Sequence, residues 1–337
     1  MKKTFLFFIA IAALLGIGVW LWRAAGLALW QEAGNRQKSY VVGVVRNPPT
    51  LDIIWESFRV KMRELGYEEG KNVTYKVIEV GGDAAETKKK VAFLIDEGVD
   101  IIYPLGGLAV HAAKAVTEER RLDLPVVFGI YADPVRAKLV ASLKSSGNNI
   151  TGIVSANEVV SSKRLELFLE IAPGITRIVF PWNDPVTSGI DNLRAAAQAL
   201  GVILAEKHVE NVDEMDAFLA DFAFRSGDGL LRATDAIAAS RFNQMVQISL
   251  EKKIPLAGTN ASDVENGAVM SYGADYKKMG AQGAVLVDKI LRGGKAPSDL
   301  PMELPAEFEL VVNLTTARAL GIAVSPEFLA KATTILP

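Results

Sequence analysis

Two hydrophobic periods alternate along this chain. Residues 40–45 (YVVGVV) form a continuous apolar run, the pattern of a strand covered on both faces. The next stretch, 51–65, switches to helical spacing, with Ile54, Phe58, Met62 and Leu65 on one face and Gly66 where a C-cap glycine belongs. The alternation continues with strands predicted at 73–80, 100–105 and 125–130 and helices at 83–97 and 108–119. Asp83 is placed to cap the first of these helices and Gly98 to end it. A polar, turn-prone cluster from Ser145 to Asn149 interrupts the rhythm, and 150–154 (ITGIV) reads as a strand crossing out of the first unit. The rhythm then restarts. Strands are predicted at 177–182, 202–209, 229–233, 254–258, 268–272 and 308–313, with helices at 161–171, 186–200, 213–224, 235–250, 276–291 and 314–320.

This βαβα pattern predicts an α/β fold of two doubly wound, Rossmann-like lobes with a hinge between them. The expected lobes are 40–150, with completion by C-terminal segments left open, and 151–320, followed by a tail over 321–337. Ligands of such sheets sit beyond the carboxyl ends of the strands, so two facing lobes line one crevice.

The chain opens differently. Lys2 and Lys3 precede an apolar run from Phe5 to Trp22, which Arg23 ends. Residues 1–30 fit a secretory signal peptide and equally a membrane anchor, because a spanning helix needs about 17–25 apolar residues. Small residues at Ala24, Ala25, Gly26 and Ala28 allow cleavage, while Trp20, Trp22 and Trp30 resemble an interfacial belt. Residues 31–39 (QEAGNRQKS) read as a polar tether. Either way the remainder is expected outside the cytoplasm: in the periplasm if cleaved, held to the inner membrane if not.

Composition narrows the function. The 337 residues carry a net charge of −2, which gives nucleic-acid binding no electrostatic support. There is no Cys, so disulfides, thiolate metal sites, a cysteine nucleophile and a lipid on Cys are excluded. The two histidines, His111 and His208, are far apart, read as surface residues and make no metal site. No nucleophile elbow, phosphate loop or dinucleotide fingerprint is present, so neither catalysis nor a cofactor is expected.

An ordered series of short segments carries a family resemblance. It includes Leu65-Gly66-Tyr67, Gly70-Lys71-Asn72-Val73, Asp123-Leu124-Pro125-Val126-Val127-Phe128, Ala132-Asp133-Pro134-Val135, Gly147-Asn148-Asn149-Ile150-Thr151-Gly152, Lys252-Lys253-Ile254-Pro255 and Gly273-Ala274-Asp275-Tyr276. These resemble the ABC transporter substrate-binding family whose named members include tryptophan- and tyrosine-type binding proteins. The resemblance implies a type I periplasmic-binding fold, a small-molecule ligand and delivery to the transmembrane subunits of an ABC permease. A monomer is the default. A membrane-tethered sensor signalling to a partner is the alternative. The chain departs from the family pattern in strand-end loops: Arg46-Asn47-Pro48-Pro49, Pro104-Leu105-Gly106-Gly107-Leu108 and Asn183-Asp184-Pro185-Val186-Thr187-Ser188. The ligand is therefore open to differ.

Candidate ligand-binding residues follow the predicted strands. Arg46, with Asn47 next to it, can pair with a carboxylate through parallel hydrogen bonds or simply cap a loop. Gly106 and Gly107 can bring helix amides to an anion or form a tight turn. Tyr131 can stack on an apolar ligand face, and Asp133 can accept from an ammonium or cap a helix. In the second lobe Asn183, Thr187, Ser188, Thr234, Asp235, Thr259, Asn260 and Asp275 take the same places, each as ligand contact or helix cap. Arg46 against Asp133 and Asp235 would suit a zwitterionic amino acid.

Overall fold

A computed structural model describes residues 38–46, 51–81 and 83–337, with the side chains at 186 and 187 left aside. The expected signal or anchor over 1–30 and nearly all of the tether lie outside the described residues. Among those residues no helix is long and apolar enough to cross a membrane.

The first lobe runs β1 (Tyr40–Arg46), α1 (Asp52–Glu64), β2 (Val73–Glu79), α2 (Ala84–Asp96), β3 (Ile101–Pro104), α3 (Gly107–Glu119), β4 (Val126–Tyr131) and β5 (Ile150–Val154). Its sheet has the order β2-β1-β3-β4-β5 and is parallel throughout. The continuous apolar run of β1 buries Val42, Val44 and Val45 completely, as a strand covered by helices on both faces requires. Segment β5 does not leave this lobe as the sequence suggests. All five of its residues are buried, and it pairs with β4 from Ile150 opposite Val126.

The second lobe runs α4 (Asn157–Ile171), β6 (Arg177–Trp182), α5 (Pro185–Ser188), α6 (Ile190–Leu200), β7 (Ile203–His208), α7 (Val212–Asp221) and β8 (Asp228–Leu231). It continues with α8 (Ala236–Ser240), α9 (Phe242–Lys252), β9 (Leu256–Gly258), α10 (Ala261–Glu265) and β10 (Met270–Ala274). Then come α11 (Tyr276–Leu291), β11 (Phe308–Asn313), α12 (Leu314–Leu320), α13 (Pro326–Leu329) and β12 (Thr334–Leu336). The sheet order is β12-β11-β10-β9-β8-β6-β7, with β11 antiparallel to β10. The stretch read as a tail therefore supplies an edge strand, held by Thr334 opposite Val311.

Helix α11 crosses back. Met279, Leu286, Val287 and Ile290 share a core with Ile54, Phe58 and Met62 of α1 in the first lobe. A side chain at Gly280 would meet Ile54 O at 2.3 Å, so glycine sets the close helix approach. Tyr67 reinforces it by donating to Asp288 at 2.9 Å. The chain thus passes between the lobes after β5, after β10 and again before β11, which makes a hinge of short connections. Two predicted long helices are broken. Gly189, at φ 65°, separates α5 from α6, and a Cβ there would lie 2.9 Å from Ser161 Oγ. Arg241, held by Asp216 at 2.5 Å, stands between α8 and α9.

Candidate functional site

The carboxyl ends of both sheets face one another around a cavity of about 500 Å³. The first-lobe wall is mostly apolar, with Leu51, Val80, Leu105, Leu108 and Ile130. Gly106 and Gly107 open the same wall at the start of α3, whose first turn has no side-chain cap. Its polar patch is a pair: His111 Nε2 lies 2.9 Å from the Tyr131 hydroxyl. Burial lowers the pKa of His111, while Asp184, from the opposite lobe, pulls it back up. Burial, with Asp184 and Asp133, pushes the Tyr131 hydroxyl up to about 12.

The second-lobe wall is polar and built from strand ends. Asp235 follows β8 and caps α8, accepting from Ala238 N at 2.8 Å. Its other oxygen accepts from Asn183 N at 2.9 Å, which ties the end of β6 to the end of β8. Burial raises its pKa and the two backbone bonds oppose that rise. Thr234 accepts from Asn157 at 2.8 Å. Beyond β9, Asp263 accepts from Thr259 N at 2.7 Å and from Arg232 at 3.0 Å, and Arg232 also donates to the Thr259 hydroxyl. Asn260 caps α10, accepting from Asp263 N at 3.2 Å.

Two arginines dominate this wall. Arg232 is 4% exposed, and its Nε has no partner among the described residues. Arg164, 3% exposed, reaches the cavity from α4 and donates Nε to Tyr272 O at 2.8 Å. Among the described residues no carboxylate pairs with it. Burial brings its guanidinium down to about 10, against the milder pull of Tyr276 and Asp263.

The candidates divide accordingly. Gly106, Gly107, Tyr131, Asn183, Thr234, Asp235, Thr259 and Asn260 line the cavity. Arg46 does not: it is paired with Asp52 at 2.7 Å and Glu79 at 2.5 Å, carboxylates its neighbouring elements bring within reach. Asp133 holds its own turn, accepting from Arg136 N at 2.9 Å. Ser188 is buried against Ile190 N at 3.3 Å, and Asp275 caps α11 through Lys278 N at 3.0 Å. Asn47 lies outside the described residues, as does the side chain of Thr187. His111, read as a surface residue, lines the cavity; His208 is exposed.

Arg164, Arg232, Asn157, Asp184 and Tyr276 also line the cavity and were absent from the sequence candidates. One signal was available. Arg164 stands at helical spacing with Leu167, Phe168 and Ile171, a charge inside an apolar stripe.

Comparison with known proteins agrees with this architecture. The chain is 25% identical over 291 residues to the tyrosine-binding protein of Clostridioides difficile, covering 86% of this chain and 82% of that one. The crystal structure of a conserved domain protein from Vibrio cholerae has 29% identity and a TM-score of 0.79, over 89% of this chain and 99% of that one. An ABC domain from Streptococcus pneumonia in complex with L-Trp shares the fold, with a TM-score of 0.80 at 22% identity, over 89% and 100% of the two chains. The family model for ABC transporter substrate binding proteins matches residues 41–336, and the chain belongs to that family.

Proposed function

We propose that this protein captures an amino acid outside the cytoplasm, closes its lobes around it and passes it to the permease of an ABC importer. The observation that carries the ligand class is Arg164, a buried guanidinium on the cavity wall with no carboxylate partner among the described residues. A buried charge without a counter-charge is costly, so the site is built for an anion that arrives with the ligand. A carboxylate matches the planar fork of arginine through two parallel bonds.

The rest of the wall limits the charge of that ligand. Arg232 is balanced by Asp263, and Asp184 and Asp235 also face or flank the cavity. Among the described residues that line the cavity, no third arginine or lysine is left for a phosphate or a dicarboxylate. A zwitterion, neutral overall, fits this balance. The apolar first-lobe wall of Leu51, Leu105, Leu108 and Ile130 suits an apolar or aromatic side chain. The tyrosine-binding relative and the L-Trp-bound structure point the same way. Closure follows from differential affinity: a ligand that touches both walls favours the closed form over the open one.

A thermal-shift screen of the full chain tests the reading. At 100 times its dissociation constant a true ligand adds about 2.7 kcal/mol. Stabilisation by one or more L-amino acids is expected. Stabilisation by neutral sugars or nucleosides alone would sink the proposal.

A further inference from the structure

A charged contact joins the two lobes outside their covalent connections. Arg136 follows β4 in the first lobe, and its guanidinium lies 3.4 Å from Asp191 and 3.9 Å from Glu158 in the second. Asp191 stands in the first turn of α6 and Glu158 in the first turn of α4. A helix N-terminus stabilises an acidic side chain, so both carboxylates sit where their own helices favour a negative charge. Ala132 and Asn157, close to the contact along the chain, line the cavity.

The first-lobe side is held by its own turn. Asp133 accepts from Val135 N at 3.1 Å and from Arg136 N at 2.9 Å, which fixes the backbone from which Arg136 reaches. Leu139 and Val140, just beyond, are buried in the first-lobe core. The Asp133-Pro134 turn therefore presents a cation across the gap between lobes. All three side chains are 42–58% exposed, so this is a weak ion pair that salt can screen. Exposed pairs of this kind shift an equilibrium by up to about fivefold. That is little for folding, but a hinge between two forms of similar free energy responds to it measurably.

We infer that Arg136, with Asp191 and Glu158, is a charge latch that biases the hinge toward the closed arrangement of the lobes. Rotation that parts the lobes draws α6 away from the Asp133–Arg136 turn and lengthens the contact beyond ion-pair range. Any ligand that favours the closed form then binds more tightly by the factor the latch contributes. The inference does not depend on which ligand is bound, so it stands or falls separately from the amino-acid reading.

The test reads the lobes without ligand. The chain contains no Cys, so two introduced thiols are the only labelling sites. Lys89→Cys on α2 and Lys207→Cys on β7, both exposed positions, carry spin labels, and pulsed electron resonance measures the distance between lobes in the full chain. Raising the salt to about 1 M should lower the closed-to-open ratio by up to about fivefold. Arg136→Glu turns attraction into repulsion and should lower the ratio by about tenfold at low salt. Adding Asp191→Arg to that variant exchanges the charges and should restore most of the ratio, while Arg194 still has Glu206 as a partner at 2.8 Å. Equal melting of the labelled proteins excludes a folding defect. If the distance distribution of Arg136→Glu matches that of the wild type at low salt, or if Asp191→Arg restores nothing, the latch is overturned and the amino-acid reading is untouched.

Discussion

Arg232 donates to Asp263 at 3.0 Å beneath the cavity wall, with side chains only 4% and 8% exposed. Arg164 lies in the same wall and senses the charge of both, yet among the described residues it has no carboxylate of its own. One arginine is therefore neutralised by the fold and the other is left for the ligand. The two should respond in opposite ways to mutation.

Asp263→Asn removes the only carboxylate paired with Arg232 among the described residues and leaves a buried cation uncompensated. Breaking a buried pair from one side costs about 3–5 kcal/mol. Urea unfolding should show that loss as a lowered midpoint with an unchanged slope.

Arg164→Met keeps most of the stem and removes the unpaired charge. Ligand affinity should fall by about 2–5 kcal/mol, the range for losing one partner of a buried charge contact. The ligand-free protein, in contrast, should melt at the same temperature or higher, because the cost of burying a lone cation disappears. Calorimetric titration and a melting curve on one preparation read both effects.

Gly273 sits where β10 passes the end of β9. A Cβ added there would lie 2.1 Å from Thr259 O and 3.8 Å from an Arg164 terminal nitrogen. Gly273→Ala must push the strands apart, which costs about 1–3 kcal/mol for overpacking. Because Thr259 and Arg164 both line the cavity, binding should weaken with stability, as parallel melting and titration series can show.

His111 makes stability depend on pH. Burial first, and Lys114 behind it, holds the folded pKa below 6.5, while Asp184 opposes them and Tyr131 is its hydrogen-bond partner. Between the folded pKa and 6.5 the unfolded chain binds more protons. Stability contributed here is therefore complete above pH 6.5, falls as pH drops through that value and levels off below the folded pKa. His111→Gln should flatten this part of the profile. An NMR titration should find the His111 pKa lower still in Asp184→Asn.

Much of this fold could be read from the chain, for a physical reason. Buried parallel strands such as β1 and amphipathic helices such as α1 carry their burial in their own periodicity. Segments whose place depends on distant partners were less legible. β5 reads locally as a connection but is held by β4, and the stretch read as a tail becomes β12 because β11 has a free edge. The gap between α5 and α6 follows from one left-handed glycine, Gly189.

The site divides along the same line. Strand-end residues such as Thr234, Asp235, Thr259 and Asn260 were found because topology places strand ends at the crevice. Arg46 satisfied that rule and was still misplaced, since Asp52 and Glu79 claim it first. Arg164 comes from the middle of a helix, where no strand-end rule looks; only its place in an apolar stripe marks it.

The central claim is that Arg164 receives the carboxylate of an amino acid. The most direct measurement titrates the full chain with each L-amino acid that stabilises it and with the corresponding α-carboxamide, which keeps shape and ammonium but removes the negative charge. The account predicts that the amide binds at least about 30-fold more weakly, the equivalent of 2 kcal/mol or more, and that Arg164→Met removes this difference. Equal affinity for acid and amide, or a preference that survives in Arg164→Met, would contradict it.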